Sequence, residues 1–220
     1  MNRIMPFGEQ VKGYNIPVLN EREIRASAGI LFLTLLISLM LVIFKADFVP
    51  IKYAITMFLT DFIIRVFVYP KYSPSLIIGR MIVSNQVPEY VGAQQKKFAW
   101  IIGLVLSATV FILLVLVNGF SPITGISCLI CLIFLFFESA FGICLGCKFY
   151  SMFYKEKAQH CPGEICDVNA KQAIQKTSKA QILTVVGFVV YIWLTALLFN
   201  DALNKKPYDL FGIYGSTQSK

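Results

Sequence analysis

Long apolar runs alternate with polar, positively charged segments along the whole chain. The runs cover residues 26–44, 48–69, 99–117, 122–149 and 180–199. A bilayer core of about 30 Å needs about 20 helical residues at about 1.5 Å rise each, so each run is long enough to cross. The pattern predicts an all-α fold, a polytopic membrane helix bundle of five transmembrane helices. Hydrophobic residues make up 57% of the chain, more than the half usual in a soluble domain, and their arrangement in blocks points the same way.

The polar segments carry start and stop signals. In the opening segment Asn20 stands as a helix N-cap, with Glu23 three residues on at the capping-box position. The first helix therefore begins ahead of its apolar run, or a short surface helix precedes it. Between the second and third runs, Pro70, Pro74 and Pro88 punctuate the chain. The stretch SLIIGRMIV between them is apolar with a single Arg and reads as an interfacial helix.

Charge sets the expected orientation. The segments on one side hold Arg3, Lys12, Arg22 and Arg25, then Lys71, Arg80, Lys96 and Lys97, then Lys148, Lys155, Lys157, Lys171, Lys176 and Lys179. The other side holds Lys45, Lys52, Lys205, Lys206 and Lys220. Because basic loops stay in the cytoplasm, the N-terminus is expected there and the C-terminus outside, in a cytoplasmic (inner) membrane. This topology accounts for the net charge of +8. No basic stripe with interleaved aromatics suggests nucleic acid. The first run follows a polar segment with Glu9, Glu21 and Glu23 and lacks a small-residue cleavage pattern, so it is expected to be a retained span. The expected divisions are a cytosolic segment (1–25), a four-helix core (26–150), a cytosolic cysteine-containing loop (151–179), a fifth helix (180–200) and an extracytoplasmic tail (201–220).

Ionisable residues fall inside two of the runs. Asp61 and Arg65 of TDFIIR are four apart and share a helix face, and Glu138 lies at similar depth in the fourth run. Charges at membrane depth normally pair or face a cavity. These three are expected to cluster, either to fix helix packing or to carry protons or cations.

The cysteines carry the remaining chemistry. Cys128 and Cys131 lie in the fourth run, Cys144 and Cys147 near its end, and Cys161 and Cys166 in the next loop beside His160. Helical spacing puts Cys131 and Glu138 on one face. It puts Cys131 and Cys144 on nearly opposite sides, about 20 Å apart at about 1.5 Å per residue. Cys128 and Cys131 read as small packing residues or as secondary thiols. Two chemistries fit the other four. Four thiolates, or three with the His160 imidazole, would suit tetrahedral zinc. Alternatively each pair cycles between dithiol and disulfide, since a cytosolic setting disfavours a static bridge. Pro162-Gly163 offers a turn between Cys161 and Cys166, and the nearby lysines favour thiolate.

Several stretches taken together, PVLNEREIRASAG (17–29), TDFIIR (60–65), YSP (72–74), VGAQQKKFA (91–99) and FESAFGICLGCKFY (137–150), resemble a bacterial multi-pass membrane family known as domain of unknown function 4395. The resemblance covers residues 16–150 and implies a four-helix inner-membrane core. It singles out Asn20, Arg25, Asp61, Arg65, Glu138, Cys144 and Cys147, and it implies partners of the thioredoxin-like or sulfur-transfer kind. The fifth span and the Cys161/Cys166 loop lie outside it. The expected function is thiol–disulfide redox or sulfur handling at the cytoplasmic membrane face. The alternatives are a small-solute or ion transporter, as a homo-oligomer, or a non-catalytic subunit of a membrane complex with a structural zinc site. No Ser/His/Asp set, phosphate-binding glycine loop or HExxH motif supports a soluble-type hydrolase, kinase or metalloprotease.

Overall fold

Serine caps, early prolines and left-handed residues set where the helices start and stop. The computed structural model describes residues 7–11, 16–146 and 177–209. Its helices are α1 (Glu21–Lys45), α2 (Val49–Ile63), α3 (Pro74–Ile82), α4 (Ala93–Phe111), α5 (Pro122–Phe136), α6 (Lys179–Leu198) and the short α7 (Asn200–Asn204). Ser73 caps α3 and Ser121 caps α5, each followed by Pro at the first helical position, where no N–H is missed. Ser178 and Gln181 close a capping box at the start of α6. Asn20 caps α1 by accepting from the Arg22 N–H, and its amide donates to Glu23 Oε1 at 3.0 Å. Thus α1 starts ahead of the apolar run.

Three helices widen into π-helical turns before they end. α2 continues as Ile64–Val68, α4 as Ile112–Leu116 and α5 as Phe137–Phe141. Gly142, with φ of 64°, then stops the fourth run well short of residue 149. A side chain there would be strained in the left-handed region and would strike the Arg25 guanidinium. Among the described residues four helices are long and apolar enough to cross a membrane: α1, α4 with its π turn, α5 with its π turn, and α6.

Two small strand pairs tie the helix ends together. β1 (Val18–Asn20) pairs antiparallel with β2 (Tyr90–Gly92), joining the starts of α1 and α4. β3 (Gly119–Phe120) pairs parallel with β4 (Tyr208–Asp209), joining the α4–α5 turn to the segment after α7. Arg65, near the end of the α2 stretch, reaches Ser27 close to the β1–β2 end. Lys52, near the start of α2, donates to Asn118 Oδ1 and the Lys205 carbonyl at the β3–β4 end, each at 2.5 Å. α2 and α5 therefore run against α1 and α4. Gln181 donates to the Lys71 carbonyl at 2.9 Å, so α6 starts at the β1–β2 end and leads away from it.

The core lies among α1, α2, α4 and α5. Phe58 and Phe62 stack at 4.5 Å between ring centres, with Leu35, Val110, Leu114 and Leu135 buried around them. In lipid such packing, together with polar contacts, replaces the hydrophobic effect as the force that holds helices together. α6 stands apart, with Leu183 and Leu198 at 71% and 75% exposed. α3 lies against the first turns of α1, and a Cβ at Gly79 would come within 2.6 Å of the Glu23 carbonyl oxygen. That close approach is what lets Ser75 and Arg80 reach α1.

Candidate functional site

The π turn after α2 carries Arg65, and the one after α5 carries Glu138. Wide turns of this kind recur at functional sites because they rotate a side chain out of the ordinary helical phase. Arg65 Nε bonds Asp61 Oδ2 at 2.7 Å, and both side chains are almost wholly buried. Ser73 donates to Asp61 Oδ1 at 2.7 Å, the Ser75 backbone N–H donates to the same oxygen at 3.0 Å, and the Ser75 hydroxyl donates to Oδ2 at 2.6 Å. Arg65 Nη2 donates to the Ser27 and Ser75 hydroxyls. The guanidinium also stacks over Phe62, 4.7 Å from the ring centre, and Trp100, at 5.3 Å. A buried ion pair is tolerable only when its remaining lone pairs and protons are met in this way. Three helices meet here through short serine hydroxyls.

Glu138 takes a different cation as its direct partner. Lys96, in the first turn of α4, lies 2.5 Å from Glu138 Oε1 and 2.8 Å from Glu21 Oε2. Arg25 lies 3.6 Å from Glu21. The expected Asp61–Arg65–Glu138 group is thus arranged as two adjoining ion-pair sets, Asp61–Arg65 and Glu21–Lys96–Glu138. A third set joins Arg80 of α3 to Glu23 at 3.0 Å and Glu9 at 3.4 Å. Arg22 pairs with Glu89 at 2.7 Å, just before β2. The segment Asn20-Glu21-Arg22-Glu23 therefore sends successive side chains to α4, to the approach to β2, and to α3.

One cavity links these sets to the cysteines. It has about 60 Å³ of free space, several times the roughly 10–15 Å³ that a single water needs. Arg65, Trp100, Glu138, Cys131 and Cys144 all line it, with Phe58 and Phe62 forming apolar wall. Cys131 and Cys144 thus share a cavity, although uniform helical spacing puts them on nearly opposite sides. The π turn at Phe137–Phe141 and the left-handed stop at Gly142 break that spacing. Cys144 is disulfide-bonded, and its partner lies outside the described residues. Cys128 and Cys131 are free thiols, both buried within the bundle. Cys147, His160, Cys161 and Cys166 lie outside the described residues. Among the described residues no group of three or more His, Cys, Asp or Glu is placed to hold a metal ion.

The buried Lys96, Glu21 and Arg80 and the serines at 27, 73 and 75 were not singled out by the sequence, and Glu23, expected as a capping-box residue, instead accepts from the Asn20 side-chain amide and from Arg80. Lys96 sits in a polar run at the start of a span and reads as an ordinary flanking cation. A signal was present all the same: the charges of NEREIR fall too close together on one helix for all of them to face solvent.

Searches among curated proteins and among solved structures find no match to the chain. A family model does match, over residues 19–155, from within β1 to past the positions of Cys144 and Cys147. The chain accordingly belongs to the family described as Domain of unknown function (DUF4395).

Proposed function

We propose that this protein carries out thiol–disulfide redox or sulfur handling at the cytoplasmic face of a bacterial inner membrane. The observation that carries the reading is a disulfide-bonded Cys144 on a cavity that also holds Arg65 and Glu138. On the cytosolic side a static structural disulfide is disfavoured, so a bridge there is best understood as one state of a cycling pair. It also supports redox chemistry over zinc, because a metal ligand must be a free thiolate. Cys144/Cys147 act as the membrane-side pair and Cys161/Cys166 as the partner-facing pair, exchanging with a thioredoxin-like or sulfur-transfer protein.

The distribution of Lys and Arg supports placing the β1–β2 end in the cytoplasm. α2 with its π turn is the fifth crossing, because its contacts run between the same two ends as those of its neighbours. α3 is the interfacial helix: Arg80 is buried against α1, while Met81 and Ile82 are 55% and 61% exposed. The buried charges have counter-ions in contact, which suits proton supply or packing better than a path for a charged solute.

Replacing Cys144 and Cys147 together by Ser tests the reading in cells. It predicts a shifted thiol balance, seen as a changed ratio of oxidised to reduced partner proteins. An unchanged balance with normal amounts of the variant contradicts it.

A further inference from the structure

Residues 7–11 lie as a short strap across the β1–β2 end. Glu9 and Val18 exchange both of their backbone hydrogen bonds at 2.9 Å, so the strap extends the sheet along an edge of β1. Phe7 meets Trp100 edge-to-face, with 5.9 Å between ring centres, and Lys97 Nζ lies 4.9 Å from the centre of the Phe7 ring. Ala93, Lys97 and Trp100 share one face of α4 by their spacing, and the strap runs along that face. A Cβ at Gly8 would come within 2.6 Å of the Ala93 Cβ, and the Gly8 φ is 104°, so a side chain there lifts the strap away from α4. The Tyr69 hydroxyl donates to the Gly8 carbonyl, and Glu9 lies 3.4 Å from Arg80 of α3.

The strap is the loosely held member of these contacts. Arg80 gives its closer ones to Glu23, from Nε and Nη2 at 3.0 Å each. When Glu9 leaves, Arg80 keeps a counter-ion and no buried charge is orphaned. Val18 fares differently. It is fully buried, and without Glu9 its N–H and C=O both lose their partners. A strand edge opened in this way is a template for another extended segment. We propose that residues 7–11 are a built-in pseudo-ligand of a groove formed by β1, the first turns of α4 and Arg80. The groove takes, in trans, an extended segment of a partner protein with an aromatic residue and, two positions later, a carboxylate. Backbone pairing with Val18 supplies affinity, while Trp100 with Lys97 and Arg80 select the two side chains. Because the strap fills the same groove, the partner's apparent affinity is reduced to the fraction of molecules in which the strap is open. The inference is independent of the thiol–sulfur reading.

The test uses the full-length protein in lipid nanodiscs and a fluorescently labelled synthetic peptide of residues 5–11, MPFGEQV, as the probe. Binding is read by polarisation. Trp193→Phe leaves Trp100 as the single tryptophan, whose emission reports whether the groove is covered. Gly8→Ala in the full chain should unseat the strap and tighten peptide binding by about tenfold over the parent, the order of strain that a side chain at positive φ brings. Hydrogen exchange at Glu9 and Val18 should quicken in that variant, and added peptide should slow it again at Val18. Peptides carrying Phe7→Ala or Glu9→Lys should bind at least tenfold more weakly. Should Gly8→Ala fail to fold, Phe7→Ala in the full chain loosens the strap without touching its backbone and carries the same expectations. Equal peptide affinity for parent and variant would overturn the proposal, as would control peptides that bind as well as the probe.

Discussion

Asp61 and Arg65, one helical turn apart on the α2 stretch, form a salt bridge of 2.7 Å that is almost wholly shielded from solvent. Both Asp61 oxygens and the Arg65 Nε and Nη2 groups also bond serines on α1 and at the start of α3, so the pair fastens three elements at one point. Breaking it by removing one partner leaves an uncompensated buried charge. Asp61→Asn should therefore destabilise the protein by about 3–5 kcal/mol. The double variant Asp61→Asn, Arg65→Gln should lose less than the sum of the singles. Unfolding in mixed micelles with increasing SDS measures both, and strict additivity would show that the pair is not coupled.

Lys96 stands between two carboxylates, Glu21 and Glu138. Lys96→Met would leave both acids facing each other without a cation. We expect a loss of about 3 kcal/mol or more, since a buried charge loses its partner. Adding Glu138→Gln should recover part of that loss. The same unfolding assay checks it; a second substitution that only worsens stability would contradict the arrangement.

Gly142 combines a left-handed φ with contact to Arg25. Gly142→Ala should cost about 1–2 kcal/mol from the backbone alone, with a further loss as Arg25 is displaced. A melting temperature equal to the parent's would show that the turn relaxes freely.

At the β3–β4 end, Lys52 holds the segment after α7 through the Lys205 carbonyl, and Asn118 donates to the Lys206 carbonyl. Lys52→Met should speed hydrogen exchange at residues 205–209 while leaving exchange in α1 and α4 as it was. Unaltered exchange at 205–209 would show that strand pairing alone fixes this segment.

The apolar runs made most of the helices legible, because span length and composition are set by the bilayer. The Asp61–Arg65 pair was legible too, since i and i+4 on a helix must meet. Lys96 as the partner of Glu138 was not, because the contact joins positions 42 residues apart and depends on how α4 packs on α5. The end of the fourth helix was hidden for another reason. FESAFGICLGC stays apolar past Gly142, so hydropathy continues where the backbone stops. The same turn brings Cys144 onto the cavity of Cys131, a relation that a fixed helical period cannot express.

The oxidation state of Cys144 in living cells decides between a cycling and a static bridge. Cells are quenched with acid, free thiols alkylated, disulfides reduced and labelled with a second reagent, and the Cys144 peptide read by mass spectrometry. A cycling Cys144 is expected as a mixed thiol and disulfide population that shifts with a brief oxidant pulse, while Cys128 and Cys131 stay reduced throughout. A Cys144 that stays in one state before and after the pulse would contradict it.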